Sequence, residues 1–249
     1  MTPRRVHIFR SADELSSEAA ADIIRLLQAP LSSRGVASIA LSGGSTPRNV
    51  YEKLGATNYA AQIDWKKVHL FWGDERCVPP DTAESNYRMV KETLLSRIVF
   101  PEANVHRIMA ELPPERAALH YERLLLEWFG IRAGQLPTFD VFLLGLGEDG
   151  HTASLFPGAV PPGTSGPLVT SLNVKHLEQY RVTMSLPVIN NAAAIVFLVS
   201  GKEKAAIVQE VLEGTVVRSP AQLVKPKQGQ LLWYIDMDAA SKLKKVDRT

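Results

Sequence analysis

Runs of apolar residues of strand length, each followed by a polar loop and then a stretch of helical length, set the narrowest limit on how this chain folds. VASIAL (36–41), VHLFW (68–72), FDVFLLG (139–145), AIVFLV (194–199) and LLWYID (231–236) are apolar at most positions rather than at alternate ones, and RVTMSL (181–186) joins them as a strand. A strand that is apolar on both faces is covered on both faces, and helices between successive strands supply that cover. The pattern predicts an α/β fold, a mainly parallel sheet with helices on both faces, formed by residues 1–249 as a single domain.

Helix boundaries are marked locally. Ser11, with Glu14 three residues on, has capping-box spacing and opens a helix to about Gln28. SGGSTP leads into a helix near Pro47, and Ser85 suits the N-cap of another. Pro113 and Pro114 open a helix that brings Ala117, Tyr121, Leu124, Leu125 and Trp128 to one face. A further helix runs from about Lys202 to Leu212, and PGAVPPGTSGP (157–167) reads as a surface loop. In such folds ligands sit beyond the carboxyl ends of the strands, so the loops that follow strands are the ones to search.

Composition removes several function classes. With 28 basic against 26 acidic residues, the charge is too even for a nucleic-acid binder, and no helix-turn-helix precedes Val36. Cys77 stands alone, so there is neither an internal disulfide nor a cysteine metal cluster. No apolar run reaches membrane length, and the first residues lack a signal-peptide core. The expectation is a cytoplasmic monomer with no metal, no cofactor, no membrane partner and no nucleic acid.

Four strand-following loops carry chemistry. In LSGGSTP (41–47), Gly43 and Gly44 let backbone N–H groups approach an anion, Ser42, Ser45 and Thr46 add hydroxyls, and the helix behind presents its positive end. A tight, capped strand-to-helix turn is the plainer account. GLGEDGH (145–151) fits G-x-G-x-x-G, but Pro157 cuts short the helix a dinucleotide needs and PLVTSLN (167–173) has no acid for the ribose. The alternative is a turn bringing Asp149 and His151 together, with the imidazole as general base and the carboxylate orienting it; a capping histidine beside a turn aspartate is the other reading. GDER (73–76) offers Arg76 for an anion or an oxyanion, and SGKEKA (200–205) places Lys202 and Lys204 at a helix start, where an anion would offset the unfavourable dipole.

LSGGSTP, FWGDERCVP with ESNYRM, FDVFLLGLGEDGHTASLFPG, RVTMSLPVINNA and SGKEKA occur in the order seen in 6-phosphogluconolactonases, and over nearly its whole length the chain resembles that family. The resemblance implies a doubly wound, Rossmann-like sheet without a dinucleotide, and hydrolysis of 6-phosphoglucono-1,5-lactone, a sugar-phosphate lactone of the pentose phosphate pathway. It implies His151 as the base, supported by Asp149, and Arg76 at the substrate or the reacting carbonyl. It also implies Ser42, Gly43, Gly44, Ser45 and Thr46 as part of the phosphate pocket, Lys204 rather than Lys202 as the phosphate lysine, and Arg181 as a further ligand of that anion. The related glucosamine-6-phosphate deaminases carry a glutamate five residues after the histidine, where this chain has Phe156, and an acid followed by tyrosine where it has Glu75 and Arg76.

Overall fold

A computed structural model describes residues 4–158, 166–174 and 178–244. In chain order its strands are β1 (Arg4–Phe9), β2 (Ala37–Leu41), β3 (Val68–Trp72), β4 (Asp74–Arg76), β5 (Val105–His106), β6 (Val141–Leu144), β7 (Val169–Val174), β8 (Gln179–Met184), β9 (Ala194–Val199) and β10 (Gln230–Asp236). The helices are α1 (Ala12–Arg34), α2 (Ser45–Leu54), α3 (Thr57–Ala60), α4 (Asn86–Val90), α5 (Pro114–Phe129), α6 (Leu186–Ile189) and α7 (Ala205–Glu213). Among these residues no helix is long and apolar enough to cross a membrane.

The main sheet has the order β1-β10-β9-β6-β2-β3-β5, and each neighbouring pair is parallel. β2, β6 and β9 are buried at every position, as strands covered on both faces must be. From β2 the chain builds outward through β3 to β5, then returns to β6 on the other side and continues to β9 and β10. The order therefore reverses between β2 and β6. At such a point the following connections diverge and leave a crevice beyond the strand ends.

Two buried tyrosines fasten the strand ends that lead to this crevice. The Tyr51 hydroxyl accepts from Ser42 N at 2.9 Å and donates to Ser42 O at 2.8 Å. The Tyr121 hydroxyl on α5 accepts from Trp72 N at 2.9 Å and turns its proton between Trp72 O and His106 O. Burial raises both phenol pKa values, so both hydroxyls keep the proton these bonds need.

Several elements depart from local expectation. Helix α1 passes through Pro30 to Arg34 and stops at Gly35, whose φ of 75° suits a left-handed cap. Its start is as expected, with Ser11 Oγ accepting from Glu14 N, and Ser85 likewise caps α4. The Lys202 segment begins as a 3₁₀ turn, Lys202–Lys204, before α7. Strands β1 and β7 carry too mixed a pattern to stand out, and GDER, expected as loop, forms β4. RVTMSL contributes not to the main sheet but, as β8, to the centre of a three-stranded antiparallel sheet, β4-β8-β7. Gly73 is the hinge between sheets: its N–H donates to Leu41 O, and its carbonyl accepts from Met184 N. A side chain there would lie 2.9 Å from Phe142, so only glycine fits without repacking. Most of the surface loop expected at 157–167 lies outside the described residues.

Candidate active site

A cleft of about 200 Å³ opens at the reversal point, lined by the loops after β2, β6 and β9 together with residues of β4, β8 and the start of α4. After β2, Gly44 at φ 107° turns the chain into α2 and has no side chain to cap it, leaving the first-turn amides facing ligand or solvent. A Cβ on Gly43 would lie 2.1 Å from Asn86 Oδ1, so the loop packs directly on the start of α4. Thr46 Oγ1 meets Ser200 Oγ at 2.9 Å, joining this loop to the one after β9. Lys204 lines the cleft beside Ser200, whereas Lys202 is exposed and outside the lining.

After β6 the chain makes a tight turn rather than a helix. Gly147 N donates to His151 O and Gly150 N to Gly147 O, and Thr152 and Leu155 then pair across a two-residue reversal. Ala153 in that reversal holds a φ of 48°, a strained setting for a residue with a Cβ. No helix follows the glycines of this turn within residues 145–158. His151 Nδ1 lies 2.6 Å from Asp149 Oδ1, which also accepts from His151 N at 3.0 Å. Burial alone would raise the Asp149 carboxyl, but the hydrogen bonds and charge of His151 outweigh it and hold Asp149 below its ordinary value. An ionised carboxylate only accepts, so Nδ1 carries a proton, and in the neutral ring Nε2 is the nitrogen with the lone pair. A Cβ on Gly147 would fall 2.1 Å from Nδ1, which is why the imidazole can lie flat over this turn.

Pairing of β4 with β8 sets Arg76 directly opposite Arg181. Arg76 Nη1 donates to Glu84 O at 2.6 Å, while Nε of Arg76 and Nε of Arg181 are both buried without a partner. Burial, then the charge of Arg76, lowers the Arg181 pKa, with Asp74 and Glu75 opposing. Two guanidiniums with unsatisfied donors at the wall of a cleft suit an anion or a carbonyl oxygen gaining charge. Arg181 lies over the Phe156 ring at 5.7 Å, and the His151 ring packs on the same ring at 4.5 Å.

The sequence and the fold match known proteins. The model of the family described as glucosamine-6-phosphate isomerases/6-phosphogluconolactonase matches residues 10–233. The 6-phosphogluconolactonase of Synechocystis sp. is 42% identical over 217 residues, covering 86% of this chain and 88% of that protein. The chain belongs to this family. A crystal structure described as the devB protein superposes with a TM-score of 0.88 at 37% identity, covering 96% of this chain and 99% of that one. The 6-phosphogluconolactonase from Trypanosoma cruzi does so at 0.84 and 29% identity, covering 98% and 99%.

Of the residues singled out from the sequence, the glucosamine-6-phosphate isomerase/6-phosphogluconolactonase fold brings Ser42, Gly43, Gly44, Ser45, Thr46, Arg76, His151, Arg181 and Lys204 to one cleft. Asp149 stands behind His151 and is not part of the lining. Sequence reasoning gave no site role to Asp74, Asn86, Ser154 or Ser200. Asp74 accepts from Ser154 Oγ at 2.5 Å, and Asn86 Nδ2 donates to Asp74 O at 3.0 Å. Glu75 points the other way, taking N–H groups from Arg76, Asn86 and Tyr87 at 2.8 Å each. Burial still raises its pKa against those three bonds. The one signal available was alternation: in a strand, Asp74 and Arg76 share a face and Glu75 takes the other.

Proposed function

We propose that this chain hydrolyses 6-phosphoglucono-1,5-lactone to 6-phosphogluconate, the lactone-opening step of the pentose phosphate pathway, with His151 as general base. The observation that carries this reading is the 2.6 Å pair of His151 Nδ1 and Asp149 Oδ1 at the edge of a cleft to which Arg76, Arg181, Lys204 and the α2 N-terminus also contribute. Nε2 of His151 takes a proton from water as the water oxygen bonds to the lactone carbonyl carbon. The carbonyl oxygen gains the charge. The bond to the ring oxygen then breaks, and that oxygen receives the proton back from His151. Asp149 is a positioning residue that fixes the tautomer.

The phosphate is assigned to the end of the cleft formed by Lys204, the Ser42–Thr46 loop and the α2 N-terminus, where point charge and backbone amides converge. Arg181, which the resemblance put with the phosphate, is reassigned to the reacting end because Phe156 touches both Arg181 and His151, and Arg76, opposite it on β4, is assigned there with it. A positioned base contributes ~10²–10⁴-fold and one oxyanion donor about 10²–10³-fold. For a reactive ester those two effects suffice, so neither a metal nor a covalent intermediate is required. The same reading takes the enzyme as a cytoplasmic monomer with a small-molecule partner and no nucleic acid.

A coupled assay tests it. The lactone is generated in place from glucose 6-phosphate, and hydrolysis above the spontaneous rate is followed with and without chelator. Chelator-insensitive acceleration is expected. No acceleration by folded protein, with ammonia released from glucosamine 6-phosphate instead, would overturn it in favour of a deaminase.

A further inference from the structure

Asp74 is the one carboxylate among the described residues that line the cleft, and it is 4% exposed. An ionised carboxylate has about four acceptor positions. Ser154 Oγ fills one on Oδ2 at 2.5 Å, but Asn86 Nδ2 reaches Oδ1 only at 3.4 Å, its shorter bond going to the backbone carbonyl. A buried acceptor with so few donors is costly unless a ligand completes it. Its charge repels a phosphate, and a carbonyl or ring oxygen has no proton to offer. Hydroxyl groups are neutral donors and answer the need. On the lactonase reading above, which this inference deepens, the substrate carries hydroxyls between its carbonyl and its phosphate.

We infer that Asp74 accepts a hydrogen bond from one hydroxyl of the substrate's polyol, and thereby selects hydroxylated sugar-phosphate lactones over deoxy ones. Asp74 sits two residues from Arg76 on β4, across from Thr183 on β8, and Ser154 ties it to the turn that follows His151. That places the acceptor beside the groups assigned to the reacting carbonyl. Register between carbonyl and base then depends on which hydroxyl Asp74 holds. A sugar with that hydroxyl missing or inverted binds less tightly and seats its carbonyl less well.

Calorimetric affinities for 6-phosphogluconate and its 2-, 3- and 4-deoxy forms test this in the wild-type chain, Asp74→Asn and Ser154→Ala. Wild type is expected to bind one deoxy form about 10–100-fold more weakly, the range for a hydrogen bond to a charged group. Asp74→Asn is expected to bind that form and the parent alike, to within about threefold. Ser154→Ala, which removes only the internal pin, is expected to keep the wild-type ratio. Asp74→Ser, smaller and still able to bond Ser154, serves if the asparagine variant does not fold. A wild type that ignores every missing hydroxyl overturns the inference, as does an Asp74 variant that discriminates as wild type does. Binding needs no turnover, so the outcome separates from the lactonase question. A chain that discriminates among these ligands but fails the coupled assay keeps the Asp74 assignment and loses the reaction.

Discussion

At the scale of single residues, the site works through atoms that are missing as much as through those present. His151 can reach Asp149 because Gly147 has no Cβ, and the Ser42–Thr46 loop can lie on Asn86 because Gly43 has none. His151→Ala should lower kcat by ~10²–10⁴-fold and leave 6-phosphogluconate affinity within a few-fold, measured by the coupled assay beside calorimetry. Turnover near wild type would remove the base assignment. Gly147→Ala puts a methyl where the imidazole lies, so it should lower kcat by about tenfold or more while the thermal midpoint barely moves. A large loss of midpoint with kcat intact would mean that Gly147 serves the fold rather than the base. GxGxxG was readable as a motif, but its purpose was not. The motif states where side chains are absent, and only the folded turn shows what occupies the space.

Elements position these residues by their ends. The carboxyl end of β2 is fastened through Ser42 to Tyr51 on α2, so strand, loop and helix move as one piece. Tyr51→Phe leaves the Ser42 N–H and C=O without their partner and should destabilise by about 1–3 kcal/mol in urea unfolding, with KM rising as the loop loosens. No change in either would show that water replaces the hydroxyl without cost. The 3₁₀ turn Lys202–Lys204 makes a choice that the sequence narrowed only by resemblance: its tight winding turns Lys204 toward Ser200 and the cleft and leaves Lys202 in solvent. Lys204→Ala should raise KM roughly tenfold or more with kcat little changed, and Lys202→Ala should do neither. A fall in kcat with KM unchanged would put Lys204 at the reaction rather than at the phosphate.

For the molecule as a whole, the far edge of the main sheet predicts how stability follows pH. His106 on β5 and His69 on β3 share a hydrogen bond at 2.9 Å, and Trp128 Nε1 donates to His69 Nδ1 at 3.1 Å. That nitrogen therefore holds no proton, and His106 Nε2 donates to it. Burial, then the charge His69 would carry, depresses the His106 pKa to about 4, and burial lowers that of His69. An unfolded histidine titrates near 6.5. Between the two values the unfolded chain binds more protons, so stability falls as pH drops from about 6.5 through about 4 and is recovered as pH rises. Thermal midpoints across that window should slope accordingly, and His106→Gln should flatten the slope; an unchanged slope would assign it to other groups. By itself the sequence determined the α/β class, the mainly parallel sheet, the caps at Ser11 and Ser85, and three of the loops that line the cleft. Periodicity, capping and strand-end loops are local and need no partner to be read. Only the tertiary structure decided that β4 leaves the main sheet to pair with β8, that Arg76 faces Arg181, and that Asp74 turns into the cleft while Glu75 turns away. Those outcomes depend on register between segments far apart in the chain, and in a three-residue strand a shift of one position exchanges the two faces.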